Sequence, residues 1–212
     1  MKLLTRTLFI GCLCTLTFSL ATADEDGFVD IFNKKDLTGW KPSEQKEGVP
    51  CQFTVENGEL VVHGKRAHLF SEKKYKNFHL KLEIKTLPGS NSGVYIHTNY
   101  EDSWPRTGYE VQVNCTHGDP VKNGSIYHIV KNYDPIAKEN EWYTMDIIVK
   151  GKNVVTKVNG KNVVDYTEPP GVTGTEKLNP EEGGNIAIQA HDPKSEIHYR
   201  SIKIKELPDS KK

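Results

Sequence analysis

The sequence predicts an all-β fold, a sandwich or jelly roll built from antiparallel strands. Three features predict it. Short runs that alternate apolar and polar residues recur along the chain, as in "NFHLKLEIK" (77–85), and a period of two marks a strand with one buried face. Asn-Gly separates apolar runs at 57–58 and 159–160, supplying the positive φ angles that a two-residue hairpin turn demands. No long segment keeps a 3.6-residue period, so helices have no evident place.

Residues 1–23 read as an export signal rather than as part of the fold. Lys2 and Arg6 give a positive start, Leu8 to Leu20 an apolar run, and "ATA" at 21–23 a small-residue cleavage site. The run is short for a membrane span. Cys12 after "FIG" loosely resembles a lipoprotein signal, but the apolar run continues past it. A secreted or periplasmic protein is expected, with residues 24–212 as one domain. Without Lys2 and Arg6 the chain keeps 26 Lys+Arg against 28 Asp+Glu, a net charge of −2. That balance favours neither nucleic acid nor an anionic membrane as a partner.

The expected strands run, in order, through "QFTVEN", "ELVVHG", "NFHLKLEIK", "SGVYIHT", "GYEVQVN", "SIYHIV", "WYTMDIIVK", "NVVTKVNG", "KNVVDYT", "GNIAIQAH" and "EIHYRSIKIKEL". "VKGKN" (149–153) adds a third turn. Two long loops remain, "HTNYEDSWPRTG" (97–108) and the Pro/Gly-rich 165–185; long loops on a sandwich often border its binding surface. Cys51 and Cys115 follow the apolar register of their strands. Export permits a disulfide between them, two buried thiols are equally compatible, and sequence separation does not choose.

Alternation also sorts the polar residues. In "TGYEVQVNC", Tyr109, Val111, Val113 and Cys115 face one way and Glu110, Gln112 and Asn114 the other. The same test sets Tyr95 and His97 opposite Val94 and Ile96, Ser125 and Tyr127 opposite Ile126, Gln189 and His191 opposite Ile186 and Ile188, and His198 and Arg200 opposite Ile197 and Tyr199. If the strands are neighbours, Tyr95, His97, Glu110, Gln112, Tyr127, Gln189 and His191 share one surface. Rings that stack on a pyranose, beside amides and a carboxylate that bind hydroxyls, suit a small carbohydrate ligand. An ordinary solvated face looks instead like His79, Lys81, Glu83 and Lys85.

The residues outside the expected leader contain no G-x-S-x-G, H-E-x-x-H, phosphate-binding glycine loop or C-x-x-C. His97, His191 and Glu110 lack a local metal-ligand spacing, so neither metal nor cofactor is expected. Ordinary glycoside hydrolysis needs two carboxyl groups, yet the residue two beyond Glu110 is Gln112, which cannot ionise. A second carboxylate would come from a loop, through Asp102, Asp119 or Asp192. A single base suffices for a different reaction. When a sugar carries a ketone at C3, its C2 proton is acidified, and one base with enolate-stabilising donors can drive loss of the C1 substituent.

The chain resembles the 3-keto-disaccharide hydrolase domain family. The resemblance runs from "FVDIFNKKDLTGW" (28–40) to "IHYRSIKIKEL" (197–207), through "VENGELV", "YKNFHLKLEIK", "GSNSGVYIH", "GYEVQV", "GSIY", "EWYTMDI", "VNG" and "GNIAIQAHD" in the family's order. Lys34, where a glycine is usual after "FN", is the one visible departure. The resemblance implies a concanavalin A-like, glucanase-type jelly-roll sandwich of two antiparallel sheets, and a secreted hydrolase acting on 3-keto-glycosides. It places the family's acid on Glu110 and its amide on Gln112, Asn91 and Ser92 in the "NSG" turn, Tyr127 in the "GSIY" strand, Gln189 and His191 in the "IQAH" strand, and Arg200 at the terminal "YR". Glu110, His191 and His97 are the expected catalytic residues; Asn91, Tyr95, Gln112, Tyr127, Gln189 and Arg200 are the expected substrate-binding ones. The rivals are a non-catalytic carbohydrate-binding module on the same fold and a two-carboxylate glycosidase.

Overall fold

The computed structural model describes residues 26–43, 53–102 and 104–209. The expected export signal and Cys51 lie outside the described residues. Cys115 is a buried free thiol.

The described residues form two antiparallel sheets. The outer sheet has the order β11 (Lys161–Thr167), β10 (Asn153–Val158), β9 (Tyr143–Lys150), β6 (Phe78–Thr86), β13 (Glu196–Glu206), β4 (Glu59–His63), β3 (Phe53–Glu56), with β1 (Val29–Asp30) also pairing β13. The second sheet runs β2 (Trp40–Pro42), β5 (Ala67–Ser71), β12 (Asn185–Ala190), β7 (Asn91–Thr98), β8 (Tyr109–Asn114). The jelly-roll sandwich expected from alternation is the architecture found.

Turn chemistry explains the hairpins. Asn57 and Gly58 have φ of 52° and 80° and close β3 onto β4, while Asn159 and Gly160, at 50° and 75°, close β10 onto β11. Both are the left-handed pairs that a type I′ turn uses.

The two sheets differ in how they meet water. β6 alternates buried and partly exposed residues throughout: Leu80, Leu82 and Ile84 enter the core, and His79, Lys81, Glu83 and Lys85 stay outside. From the other side Val94 and Ile96, Val111 and Val113, and Ile186 and Ile188 complete one apolar cluster. All eight residues of β7, all six of β12 and all five of β5 are buried. The inner strands of the second sheet are therefore covered on both faces, by the core on one side and by loops on the other.

Three expectations about elements change. β1, β2 and β5 are additional strands; β5 gives no alternation because Leu69 on its core face is followed by an equally apolar Phe70 on the other face. "SIYHIV" is not a regular strand. Its first half lies along β8, with Gln112 N donating to Ser125 O (2.9 Å) and Tyr127 N to Glu110 O (2.9 Å), before Ile126 and Val130 close a tight turn through mutual backbone bonds. The turn before β7 is centred on Pro88 and Gly89, with Ser90 N donating to Leu87 O, so Asn91 and Ser92 belong to the strand itself.

Leu82→Ala should lower unfolding free energy in urea by about 2–5 kcal/mol, because the methylenes it removes are fully buried. Lys150→Ala, at an exposed strand end, should stay within about 0.5 kcal/mol of the parent.

Candidate active site

Residues at every second position of β5, β12, β7 and β8 face away from the core and form one surface. Cross-strand pairing sets Gln189 beside His68, Gly93 beside Gln112, Ala187 between Phe70 and Tyr95, and Tyr95 beside Glu110. Loops raise walls around this floor, and the result is a cleft of about 310 Å³ lined by Asn91, Tyr95, Trp104, Glu110, Gln112, Asp119, Tyr127, Glu176, Gln189 and His191, among others. That volume lies at the small end of ligand pockets.

Glu110 sits on the floor, half-buried. Tyr95 OH donates to its Oε2 at 2.9 Å, and Gln189 Nε2 donates to its Oε1 at 3.1 Å and to Tyr95 OH at 3.1 Å. The carboxyl lies directly over Gly93, where an added Cβ would stand 2.1 Å from Glu110 Oε1. The "SGVY" glycine thus makes room for the acid opposite it. Loss of hydration raises the Glu110 pKa from 4.5 to about 7; the Tyr95 and Gln189 hydrogen bonds oppose the rise, and the negative charges of Asp119 and Glu176 add to it. A carboxyl that titrates near neutrality can serve as acid or as base.

The other floor residues are held as firmly. Gln112 Nε2 donates to Asn91 Oδ1 at 2.7 Å, both residues being buried. Asn114 shapes the adjoining wall: its Nδ2 donates to the carbonyls of Asp119 and Val121, and its Oδ1 accepts from His117 N. Tyr127 OH donates to Asp119 Oδ2 at 3.3 Å across that wall.

His191 stands at one end of the cleft. Its Nδ1 lies 3.0 Å from Asp192 Oδ2, and that same oxygen accepts from Ser195 Oγ at 2.6 Å. Burial alone would raise the Asp192 pKa, but donation from Ser195, His191 and the Lys194 amide outweighs it and keeps the carboxylate below its usual range. A persistent anion at Nδ1 keeps the proton there, leaving Nε2 as the nitrogen available for exchange.

Seven of the expected site residues meet at this cleft: Asn91, Tyr95, Glu110, Gln112, Tyr127, Gln189 and His191. Two do not. His97 occupies a bulge, where three steps along β7 (Tyr95 to Thr98) match two along β12 (Ala187 to Asn185), and its φ is +53°. Its ring turns aside from the floor: Nδ1 accepts from Asn179 N, Nε2 donates to Lys76 O at 2.7 Å, and Phe78 packs edge-on at 6.0 Å between centroids. Burial depresses its pKa, so it is a neutral structural histidine. Arg200 belongs to the other sheet, where its guanidinium binds Glu83 and lies over the Trp142 ring at 4.6 Å.

Sequence reasoning did not single out His68, Trp104, His117, His128 and Glu176. Trp104 and Glu176 lay within loops suspected of bordering a site; His68 sits on the unread strand β5. Of the loop carboxylates, Asp119 lines the cleft, Asp192 holds His191, and Asp102 is exposed outside it.

Residues 27–205 match the family model described as a 3-keto-alpha-glucoside-1,2-lyase-like domain. A 3-keto-disaccharide hydrolase of Bacteroides thetaiotaomicron is 28% identical over 173 residues, which is 68% of this chain and 59% of that protein; the chain spans less than two thirds of that relative. Among solved structures, a candidate glycosyl hydrolase of Parabacteroides distasonis superposes with a TM-score of 0.74 at 23% identity, over 92% of this chain and 99% of that one. A β-1,3-1,4-glucanase (lichenase) from a mouse hindgut metagenome gives 0.56 at 12% identity, over 85% and 98%. These two show the shared sandwich. With the family model spanning nearly all of the described residues, the chain belongs to the 3-keto-alpha-glucoside-1,2-lyase-like domain family.

Proposed function

We propose that this chain is a carbohydrate-cleaving enzyme that acts on 3-keto-glycosides, with Glu110 as the base that opens the reaction, working outside the cytoplasm after export. One observation carries the reading: a single half-buried carboxyl on the cleft floor, oriented by two donors and titrating at about 7.

The chemistry follows from that group. Glu110 takes the C2 proton of the bound sugar, and the C–H electrons form the C2=C3 bond of an enolate whose charge rests on the C3 oxygen. Donors lining the cleft, the Gln112 and Asn91 amides, stabilise that oxygen, and Tyr127, held by Asp119, borders the same wall. The enolate then collapses back to the ketone, forming C1=C2 and breaking the C1–O bond. The departing oxygen takes the Nε2 proton of a His191 imidazolium, whose Nδ1–H is held by Asp192, leaving the neutral imidazole. Addition of water across C1=C2 would complete a net hydrolysis. The relatives' names support the substrate class, and the presence of one neutral-pKa acid supports proton abstraction.

Glu110→Gln should abolish turnover of 3-keto-trehalose while leaving its binding within a few-fold of the parent. For the parent, kcat/KM should fall about tenfold per pH unit below 7, because only the ionised carboxylate removes the proton. Comparable activity on unoxidised trehalose would instead favour two-carboxylate hydrolysis through Glu110 with Asp119 or Glu176. A second variant tests position: Gly93→Ala should keep the fold, since that residue is an ordinary strand member, yet lose most turnover as the new methyl displaces the Glu110 carboxyl. Full activity of Gly93→Ala would contradict the assigned geometry.

A further inference from the structure

Beside the cleft, two buried polar atoms have no hydrogen-bond partner among the described residues: Gln189 Oε1, on a residue that lines the cleft, and His68 Nε2, on the strand next to it. They belong to residues directly paired across β12 and β5. Leaving such atoms unpaired is costly, so a ligand that satisfies both is bound more tightly.

The amide of Gln189 cannot turn to cure its own deficit. Its Nε2 donates to the Glu110 carboxyl and to Tyr95 OH, while Tyr95 OH donates its hydrogen to Glu110. Reversing the amide would set a carbonyl against a carboxylate and lose both donations. Oε1 is thereby committed to point away from Glu110. The His68 ring stands edge-on to Tyr95 and to Trp104, at 5.2 Å from each centroid. Burial, with a smaller contribution from His191, depresses its pKa to about 3, so it stays a neutral imidazole. Trp104 lines the cleft, touches His191 as well, and lies under the Arg66 guanidinium at 5.3 Å. Trp104 thus links His68 to the cleft it lines.

We infer that His68 and Gln189 form a substrate subsite next to the Glu110 base, one that grips a sugar hydroxyl as donor and acceptor at once. The hydroxyl donates to Gln189 Oε1 and accepts from His68 Nε2–H, while Trp104 closes over the sugar ring's apolar face. A hydroxyl has both capacities, whereas a ketone only accepts. The subsite therefore reads an unoxidised carbinol, and the oxidised carbon is left to the Glu110 side of the cleft. Because Gln189 also orients Glu110, occupancy of the subsite fixes the base at the moment the sugar arrives. The inference rests on the carbohydrate reading above, but not on any particular cleavage step.

The test titrates trehalose into the parent, His68→Leu and His68→Gln proteins, following heat and tryptophan fluorescence, and 3-keto-trehalose into Glu110→Gln with and without His68→Leu. Melting temperatures and parent turnover are measured alongside. The expected result is sugar binding weakened about tenfold or more in His68→Leu, partly restored in His68→Gln, whose amide nitrogen reaches where Nε2 stood. The His68→Leu protein should melt no lower than the parent, because an unpaired polar atom has been removed. Undiminished sugar binding with a lowered melting temperature would make His68 a structural residue and overturn the subsite, leaving the proposed activity intact. Binding that depends on His68 without turnover of the keto sugar would keep the subsite and reject the activity. Failure of the parent to bind either sugar would overturn both.

Discussion

Everything at this site follows from one constraint: the three inner strands of the five-stranded sheet are buried on both faces. A sheet face against water tolerates any polar residue, as the His79–Lys85 face of β6 does. A polar face beneath loops must find partners inside the protein, because an unpaired buried group is costly. Gln112 accordingly binds Asn91, and Glu110, Tyr95 and Gln189 bind one another in a closed triangle. The same enclosure that forces this network strips water from Glu110 and lifts its pKa. Rigidity and reactivity have a common cause.

Glycine at 93 completes the arrangement. The acid on β8 needs space over β7, and a side chain opposite it would fill that space. The bulge at His97 ends the polar row two residues beyond Tyr95 and swings the imidazole toward the Lys76 and Asn179 backbone. One strand therefore supplies a vacancy, a ring and a stop within five positions. Beyond the floor, specificity passes to loops, where Asn114 fixes the wall bearing Asp119, and the exposed His128–Glu176 pair spans 3.7 Å between two further walls.

Much of this was legible in the sequence, for a physical reason. A strand that sends apolar residues to the core and polar ones the other way writes its orientation as alternation, so β6, β8, β12 and most of β13 could be read, and Glu110 with them. Alternation fails where its premises fail. In β5, "AHLFS" sets apolar Phe70 on the face away from the core, next to Leu69 on the core face, which breaks the alternation and hid His68. At His97 the bulge inserts an extra residue, so counting by twos assigns the ring to the wrong neighbours. Arg200 was assigned correctly to an outward face, but local sequence does not say which of two sheets that face belongs to. Tyr127 reaches the cleft from a segment whose pairing to β8 is real but too short to continue as a strand.

The chemistry of this cleft depends on a carboxyl group that stays protonated until neutrality because the floor around it removes much of its hydration. Carbon-13 NMR of protein labelled at the glutamate δ-carbon, titrated from pH 4 to 9 and assigned through Glu110→Gln, measures this without any substrate. The predicted midpoint for Glu110 is about 7. A midpoint near the ordinary 4.5 would mean a solvated carboxylate, and the chemistry assigned to this cleft would lose its base.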